Sequence, residues 1–287
     1  MSQIIGWIGV GSMGHRMTRH LVKAGHALVV ADAASTALAP EGSTIVASNK
    51  EVAAKADLVF LSLPDGSVTE AVCAEIAATS PRRVKTVVDT STIGPKAAER
   101  AAAILQKAGI AFVDAPVSGG TAGAEKATLA IMLACPKDTY EALKPIVSLM
   151  GKPFHAGEKP GHGQAVKLLN NFLSATAMAA TSEAIAYGTR QGIAMGTILD
   201  IVNASTGRNT ATDDKFPRRI MNGRIDAGFA AKLQLKDIAL YLEAARETGI
   251  TTDVAVSVVD VWSRLVKSDP AADIIEMYPF TEKGRKG

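Results

Sequence analysis

The sequence predicts an α/β protein in two parts: a doubly wound parallel sheet, then an all-helical region that opens on one long helix. Three observations predict it. Short β-rich runs alternate with helical ones up to about residue 155. A glycine-rich turn, Gly9-Val10-Gly11-Ser12-Met13-Gly14, follows the first of those runs directly. From Gly163 to Gly192 no proline occurs, and beyond it no segment reads convincingly as a strand. Apolar strands alternating with helices indicate a parallel sheet covered on both faces, because the crossover helices lie on those faces.

In chain order, the candidate strands are Ile4–Ile8, Ala27–Ala31, Leu58–Leu63, Thr86–Asp89, Ile110–Val113, Leu129–Leu133 and Pro153–His155. Helical stretches such as Met13–Ala24 and Pro95–Ala108 lie between them. The linker Gly157-Glu158-Lys159-Pro160-Gly161 sets a boundary near residue 161, giving domains 1–161 and 162–287. The second domain begins with a long helix over 163–191. About thirty residues at about 1.5 Å each make a rod of about 45 Å, more than a small domain needs. Alanine, serine and threonine crowd its middle, Ser174–Ala186, so other helices can approach closely. Such a helix bridges domains or crosses a subunit interface, which predicts a homodimer or homotetramer. The remaining segments Thr197–Val202, Lys232–Thr248 and Asp253–Lys267 are helical in period, and no internal repeat occurs.

The 287 residues suffice for two domains and a substantial core. A net charge of +3 is too small to indicate a nucleic-acid or membrane partner. The closing Glu282-Lys283-Gly284-Arg285-Lys286-Gly287 reads as a solvated basic tail. Cys73 and Cys135 are the only cysteines and have no metal-ligand spacing, so a reducing cytoplasm is expected. The five histidines, at 15, 20, 26, 155 and 162, pair with no cysteine at ligand spacing, so no metal is expected. No run is long enough to span a bilayer, and the N-terminus lacks the pattern of a secretory leader.

The strand-turn-helix setting makes Gly9, Val10, Gly11, Ser12, Met13 and Gly14 a dinucleotide fingerprint. The first glycine allows the tight turn and the second admits a pyrophosphate. The third lets helix pack on strand, and the helix N-terminus favours phosphate. Asp32 ends the second strand about twenty residues on, where its carboxylate can accept hydrogen bonds from the adenosine ribose. It would repel a 2′-phosphate, and Ala33-Ala34-Ser35 supplies no arginine. NAD is therefore favoured, with NADP the alternative.

The run Gly161-His162-Gly163-Gln164-Ala165-Val166-Lys167-Leu168-Leu169-Asn170-Asn171 carries the chemistry. A helix starting after Gly163 puts Lys167 and Asn171 one turn apart on one face. An ammonium beside a neutral amide can donate protons and hold a substrate oxygen without a metal. A lone helical lysine is most often a solvated surface residue; the neighbouring residues argue against that reading here. Partial desolvation in a domain cleft would lower such a lysine's pKa, suiting it to take a hydroxyl proton. His162 lies in the same glycine motif and reads as a loop residue near the helix start. Ser118-Gly119-Gly120 offers a hydroxyl and backbone N–H groups to a carboxylate, and on its residues alone reads as a turn. Arg208 is a loop arginine or a bidentate partner for a carboxylate.

Four segments in order resemble the β-hydroxyacid dehydrogenase family, which includes 3-hydroxyisobutyrate dehydrogenases and tartronate semialdehyde and glyoxylate reductases. They are Gly6 to Gly14, Asp114-Ala115-Pro116-Val117-Ser118-Gly119-Gly120, Gly161 to Asn171, and Lys236-Asp237. The resemblance implies a Rossmann-like N-terminal domain, a long interdomain helix and an all-α C-terminal domain. It implies hydride transfer between a nicotinamide cofactor and a small 3-hydroxy acid or its semialdehyde. Lys167 would be the acid/base and Asn171 would help hold substrate. Ser118, Gly119 and Gly120 would line the substrate site, and Lys236 would close over it. Leu63, Pro64 and Thr92 match positions near the nicotinamide. One departure is expected after Asp32, where Pro40-Glu41-Gly42 shortens the helix that the family carries before its third strand. Three alternatives stand beside this reading: a reductase working mainly toward the alcohol, an imine reductase, and a non-catalytic nucleotide-binding module. Lys167 counts against the imine reductase, and Lys167 with Asn171 against the module.

Overall fold

The computed structural model describes residues 3–284. The chain divides into two compact units, Met1–Lys167 and Leu168–Gly287. Arg285, Lys286 and Gly287 of the predicted basic tail lie outside the described residues.

In the first unit β1 (Ile5–Ile8), β2 (Leu28–Ala31), β3 (Thr44–Ile45), β4 (Leu58–Leu61), β5 (Thr86–Asp89) and β6 (Ala111–Asp114) run parallel. Their order is β3-β2-β1-β4-β5-β6, that of a doubly wound dinucleotide fold. Ile5, Trp7, Leu28, Val30, Leu58 and Phe60 pack on one face; Ile8, Val29, Ala31, Val59 and Leu61 pack on the other. Helices cover both faces, so the strands show no polar alternation. Trp7 and Phe60, partners in register, stack with centroids 5.2 Å apart. Such a pair contributes about 0.5–1.5 kcal/mol beyond its burial. On the opposite face a Cβ on Gly6 would lie 2.5 Å from Val52 Cγ1, so the helix there sits close on β1.

The helices of this unit are α1 (Gly14–Lys23), α2 (Asn49–Lys55), α3 (Gly66–Ala78), α4 (Pro95–Gln106), α5 (Gly120–Lys126) and α6 (Lys137–Val147). Ser48 and Asp65 cap α2 and α3 by accepting from Glu51 N and Val68 N. The sheet departs from purely parallel at its far end, in β7 (Val117–Ser118), β8 (Leu129–Ala134) and β9 (Gly151–Gly157). There β8 runs antiparallel to β6 and β7 and parallel to β9. The connection from β2 to β3 carries no helix at all. Asp32 Oδ1 takes the N–H groups of Ala34 and Ser35, an alternative to helical bonding, and Pro40 and Gly42 follow.

A long helix, α7 (His162–Arg190), contains the division between the units. Its 29 residues span about 44 Å. The second unit continues with α8 (Met195–Asn203), a π-turn at Ala211–Lys215, α9 (Phe216–Arg218), α10 (Ala231–Glu247), α11 (Asp253–Ser268) and α12 (Met277–Lys283). Ala175, Met178 and Ile185 of α7 join Phe216, Trp262 and Leu265 in its core. Trp262 Nε1 donates to Ala175 O at 3.2 Å. A Cβ on Gly188 would lie 2.5 Å from Ile198 Cδ1, so α8 comes close to α7 at that glycine. Among the described residues no helix is long and apolar enough to cross a membrane.

Candidate functional site

The candidate residues of the first unit collect beyond the carboxyl ends of the parallel strands. The glycine turn leaves β1, Asp32 leaves β2, and Leu63-Pro64 follows β4. The segment to Thr92 leaves β5, and Ser118-Gly119-Gly120 follows β6 through β7. Strand order reverses between β1 and β4, the position where open α/β sheets bind ligands.

The three glycines of the turn differ in what the fold demands of them. Gly9 has φ +95°, and a Cβ there would lie 2.2 Å from Ser62 O. At Gly14 a Cβ would lie 2.0 Å from Gly9 O, so α1 seats directly on the end of β1. Gly11 is different: a Cβ there would meet nothing within 4 Å. The protein itself leaves that space open, which fits the approach of a pyrophosphate to backbone N–H groups. Val10 N donates to Asp32 Oδ2 at 2.8 Å. Asp32 therefore holds the glycine turn as well as its own loop.

A second set of bonds joins the segment after β5 to the start of α7. Leu63 N donates to Ser91 Oγ at 2.8 Å. Gln164 Nε2 donates to Ser91 O at 3.0 Å, while its Oε1 accepts from Ile93 N at 2.9 Å and Gly94 N at 3.2 Å. Asp114, at the end of β6, accepts from Gly161 N at 3.1 Å and Gln164 N at 2.9 Å, so a carboxylate caps α7. Burial pushes the Asp114 carboxyl up to about 7, and the nearby Asp89 carboxylate adds to the rise; the backbone N–H groups of Gln164, Gly161 and Asp114 itself oppose it.

That shift gives stability a pH dependence. Between the ordinary value of 3.8 and about 7, the folded protein holds a proton at Asp114 that the unfolded chain has lost. Folding stability from this group therefore falls as pH rises through that window and levels off above it. The full change is on the order of a few kcal/mol. Urea unfolding of wild type and Asp114→Asn at pH 5, 6, 7 and 8 should show the difference between them shrinking with pH. A constant difference would remove Asp114 from the titration.

Lys167 is buried, with 8% of its surface exposed, and Asn171 follows one turn later on α7. In the second unit Asn171 Nδ2 donates to Asp237 Oδ2 at 2.6 Å, and Asn171 O accepts from Gln234 Nε2 at 2.9 Å. Asp237 is buried, and its Oδ1 lies 3.2 Å from Lys236 Nζ. The Lys236-Asp237 pair on α10 thus joins a partly exposed ammonium to a buried carboxylate. Arg208 stands in an exposed pair with Asp213 at 3.2 Å. His162 is the exposed first residue of α7, its ring against Gly157. Ser118 pairs with Ala130 in the β7–β8 ladder, and Gly119 and Gly120 turn the chain into α5 with φ +134° and +62°. Half-buried Thr92 lies between Ser91 and Ile93.

Sequence reasoning missed Gln164, Asp114, Ser91, Gln234 and Asp237 as the residues that hold the others. The available signal was a polar residue inside an apolar run, as in Phe112-Val113-Asp114-Ala115-Pro116-Val117. Among the described residues no group of three or more histidine, cysteine, aspartate or glutamate side chains could hold a metal ion.

Two family models match the chain. One, described as the NAD binding domain of 6-phosphogluconate dehydrogenase, covers residues 4–178. The other, described as NAD-binding of NADP-dependent 3-hydroxyisobutyrate dehydrogenase, covers residues 161–280. The chain is 37% identical to 2-(hydroxymethyl)glutarate dehydrogenase of Eubacterium barkeri over 86% of its own length and 83% of that protein. It is also 37% identical to the mitochondrial 3-hydroxyisobutyrate dehydrogenase of Drosophila melanogaster, over 82% of this chain and 76% of that one. In structure it is similar to the 3-hydroxyisobutyrate dehydrogenase of Mycobacterium tuberculosis with L-serine. That match has a TM-score of 0.91 and 29% identity, over 98% and 99% of the two chains.

Proposed function

The chain belongs to the β-hydroxyacid dehydrogenase family, and from that premise we propose that it oxidises a small 3-hydroxy acid with NAD, using Lys167 as the acid/base. The observation that carries this reading is the sequence of buried Lys167 and Asn171 on one turn of α7, with the glycine turn at the switch point of the sheet. When bound, the nicotinamide accepts or returns the hydride. The residues of the chain manage the proton and the charge. Lys167 Nζ takes the hydroxyl proton as the carbonyl forms and returns it in the reverse direction. Asn171 spends one Nδ2 hydrogen on Asp237 and keeps the other for the substrate oxygen. Ser118, Gly119 and Gly120 present a hydroxyl and backbone donors to the substrate carboxylate, and Lys236 is the candidate that α10 contributes. Gly9 to Gly14, Asp32, Leu63, Pro64 and Thr92 hold the dinucleotide.

Two further parts of the reading rest on chemistry already described. Free, buried Cys73 and Cys135 fit a cytoplasmic enzyme. Leu169, Leu173 and Tyr187 form an exposed apolar face on α7, which supports a homodimer or homotetramer.

The test is a screen of three- to six-carbon 3-hydroxy acids and their semialdehydes with NAD and NADP, read at the nicotinamide absorbance. Turnover with NAD in excess of NADP is expected. In the same assay Asp32→Ala should narrow the NAD to NADP ratio of kcat/KM and raise the KM for both, because it also frees the Val10 turn. Absence of turnover on every hydroxy acid would sink the proposed activity; an unchanged ratio would sink the role of Asp32. Light scattering on the same preparation reads the subunit count, and a monomer would refute the oligomer.

A further inference from the structure

Gln164 is fully buried, and all three of its side-chain bonds reach the segment that leaves β5. The main-chain N–H of the same residue is held by Asp114. Ser91, the far end of the amide bridge, is itself tied to Leu63 at the end of β4. One neutral amide therefore joins the carboxyl edges of β4, β5 and β6 to the first turn of α7. Lys167 lies three residues further along, about 4.5 Å up the helix axis and on the same side. No other side chain of this length both donates to Ser91 O and accepts from Ile93 N and Gly94 N. Glutamate lacks the donor when ionised, and methionine lacks both.

The geometry points to Gln164 as a positioning residue that fixes the depth and rotation of the first turn of α7 against the 91–94 segment, and so places Lys167 relative to Thr92. This rests on the reading of Lys167 as the acid/base. A displacement of about 1 Å at a reacting group costs about a hundredfold in rate. Gln164 therefore acts on turnover through Lys167 without touching the substrate.

The experiment uses the full-length protein with Gln164→Met and Gln164→Glu. In the protein without cofactor, amide exchange at Ile93 and Gly94 should quicken at least tenfold in Gln164→Met, while Val87 and Val88 in β5 keep their protection. The same variant should lose about ten- to a hundredfold in kcat. Its NAD dissociation constant, from fluorescence titration, should rise by less than kcat falls, because the glycine turn and Asp32 are held by separate bonds and only Thr92 and its neighbours lie in the loosened segment. For Gln164→Glu in the reducing direction, activity relative to wild type should recover as pH falls, since the protonated acid regains the donor for Ser91 O. Quickened exchange with unchanged kcat would make Gln164 a structural clasp only and overturn the proposal. Failure of both variants to fold would do the same. If instead the wild type and Lys167→Ala turn over alike, it is the role of Lys167 that fails, and the exchange result still reports whether the clasp exists.

Discussion

Lys167→Ala is expected to lower kcat by about two to four orders of magnitude, the usual weight of a positioned acid/base, while NAD affinity stays within about threefold. Alanine leaves the hydroxyl proton with no acceptor at that point of α7. The residues proposed to hold the dinucleotide, in the turn after β1 and at Asp32, Leu63, Pro64 and Thr92, do not include Lys167. Lys167→Arg separates the two things that an ammonium could supply. A guanidinium keeps the positive charge but does not give up its proton in a protein. If Lys167 acts by proton transfer, Arg fails as Ala does in the oxidative direction. If it acts by charge alone, Arg restores much of the rate. Stopped-flow single turnovers, with cofactor binding measured separately, decide between these. A loss of less than tenfold in Lys167→Ala would remove the lysine from the chemistry.

What the sequence made legible follows from which residues leave a local pattern. The parallel strands were legible because burial on both faces turns each into an unbroken apolar run. That pattern has no direction, so Leu129–Ala134 reads the same whether it runs parallel or, as β8 does, antiparallel to β6. Thr44–Ile45 and Val117–Ser118 are two-residue ladders and too short to leave any period. The helix expected after Asp32 is absent because the same carboxylate that marks the cofactor strand also captures Ala34 N and Ser35 N. In the candidate site, glycines and Lys167 were legible because their spacing is local. Gln164 and Asn171 bond to partners 63 to 73 residues away, and no spacing rule reports such a pair.

Gly163→Ala should destabilise the protein and slow turnover together, whereas the same substitution at Gly11 should do neither and instead weaken NAD binding. On helix propensity alone Gly163→Ala would gain about 1 kcal/mol. The surroundings reverse that sign. A Cβ on Gly163 would lie 2.4 Å from Met132 O and 2.8 Å from Asp114 Oδ2. The Met132 oxygen is backbone in β8, so it is the first turn of α7 that must move. Overpacking of this kind costs about 1–3 kcal/mol. The shift also strains the cap from Asp114 to Gly161 N and Gln164 N, where each bond is worth about 0.5–3 kcal/mol, the upper end when Asp114 is ionised. Net destabilisation of about 2–5 kcal/mol is expected, with a fall in kcat because Lys167 is carried by the same turn. At Gly11 a Cβ meets no protein atom within 4 Å, so the fold has no objection to alanine there. If that space takes the pyrophosphate, as proposed, the methyl group raises the NAD dissociation constant at least tenfold with an unchanged melting temperature. Thermal melts and NAD titrations of the two variants side by side separate a glycine kept for packing from one kept for a ligand. Equal melting temperatures for Gly163→Ala and wild type would refute the packing argument at the start of α7.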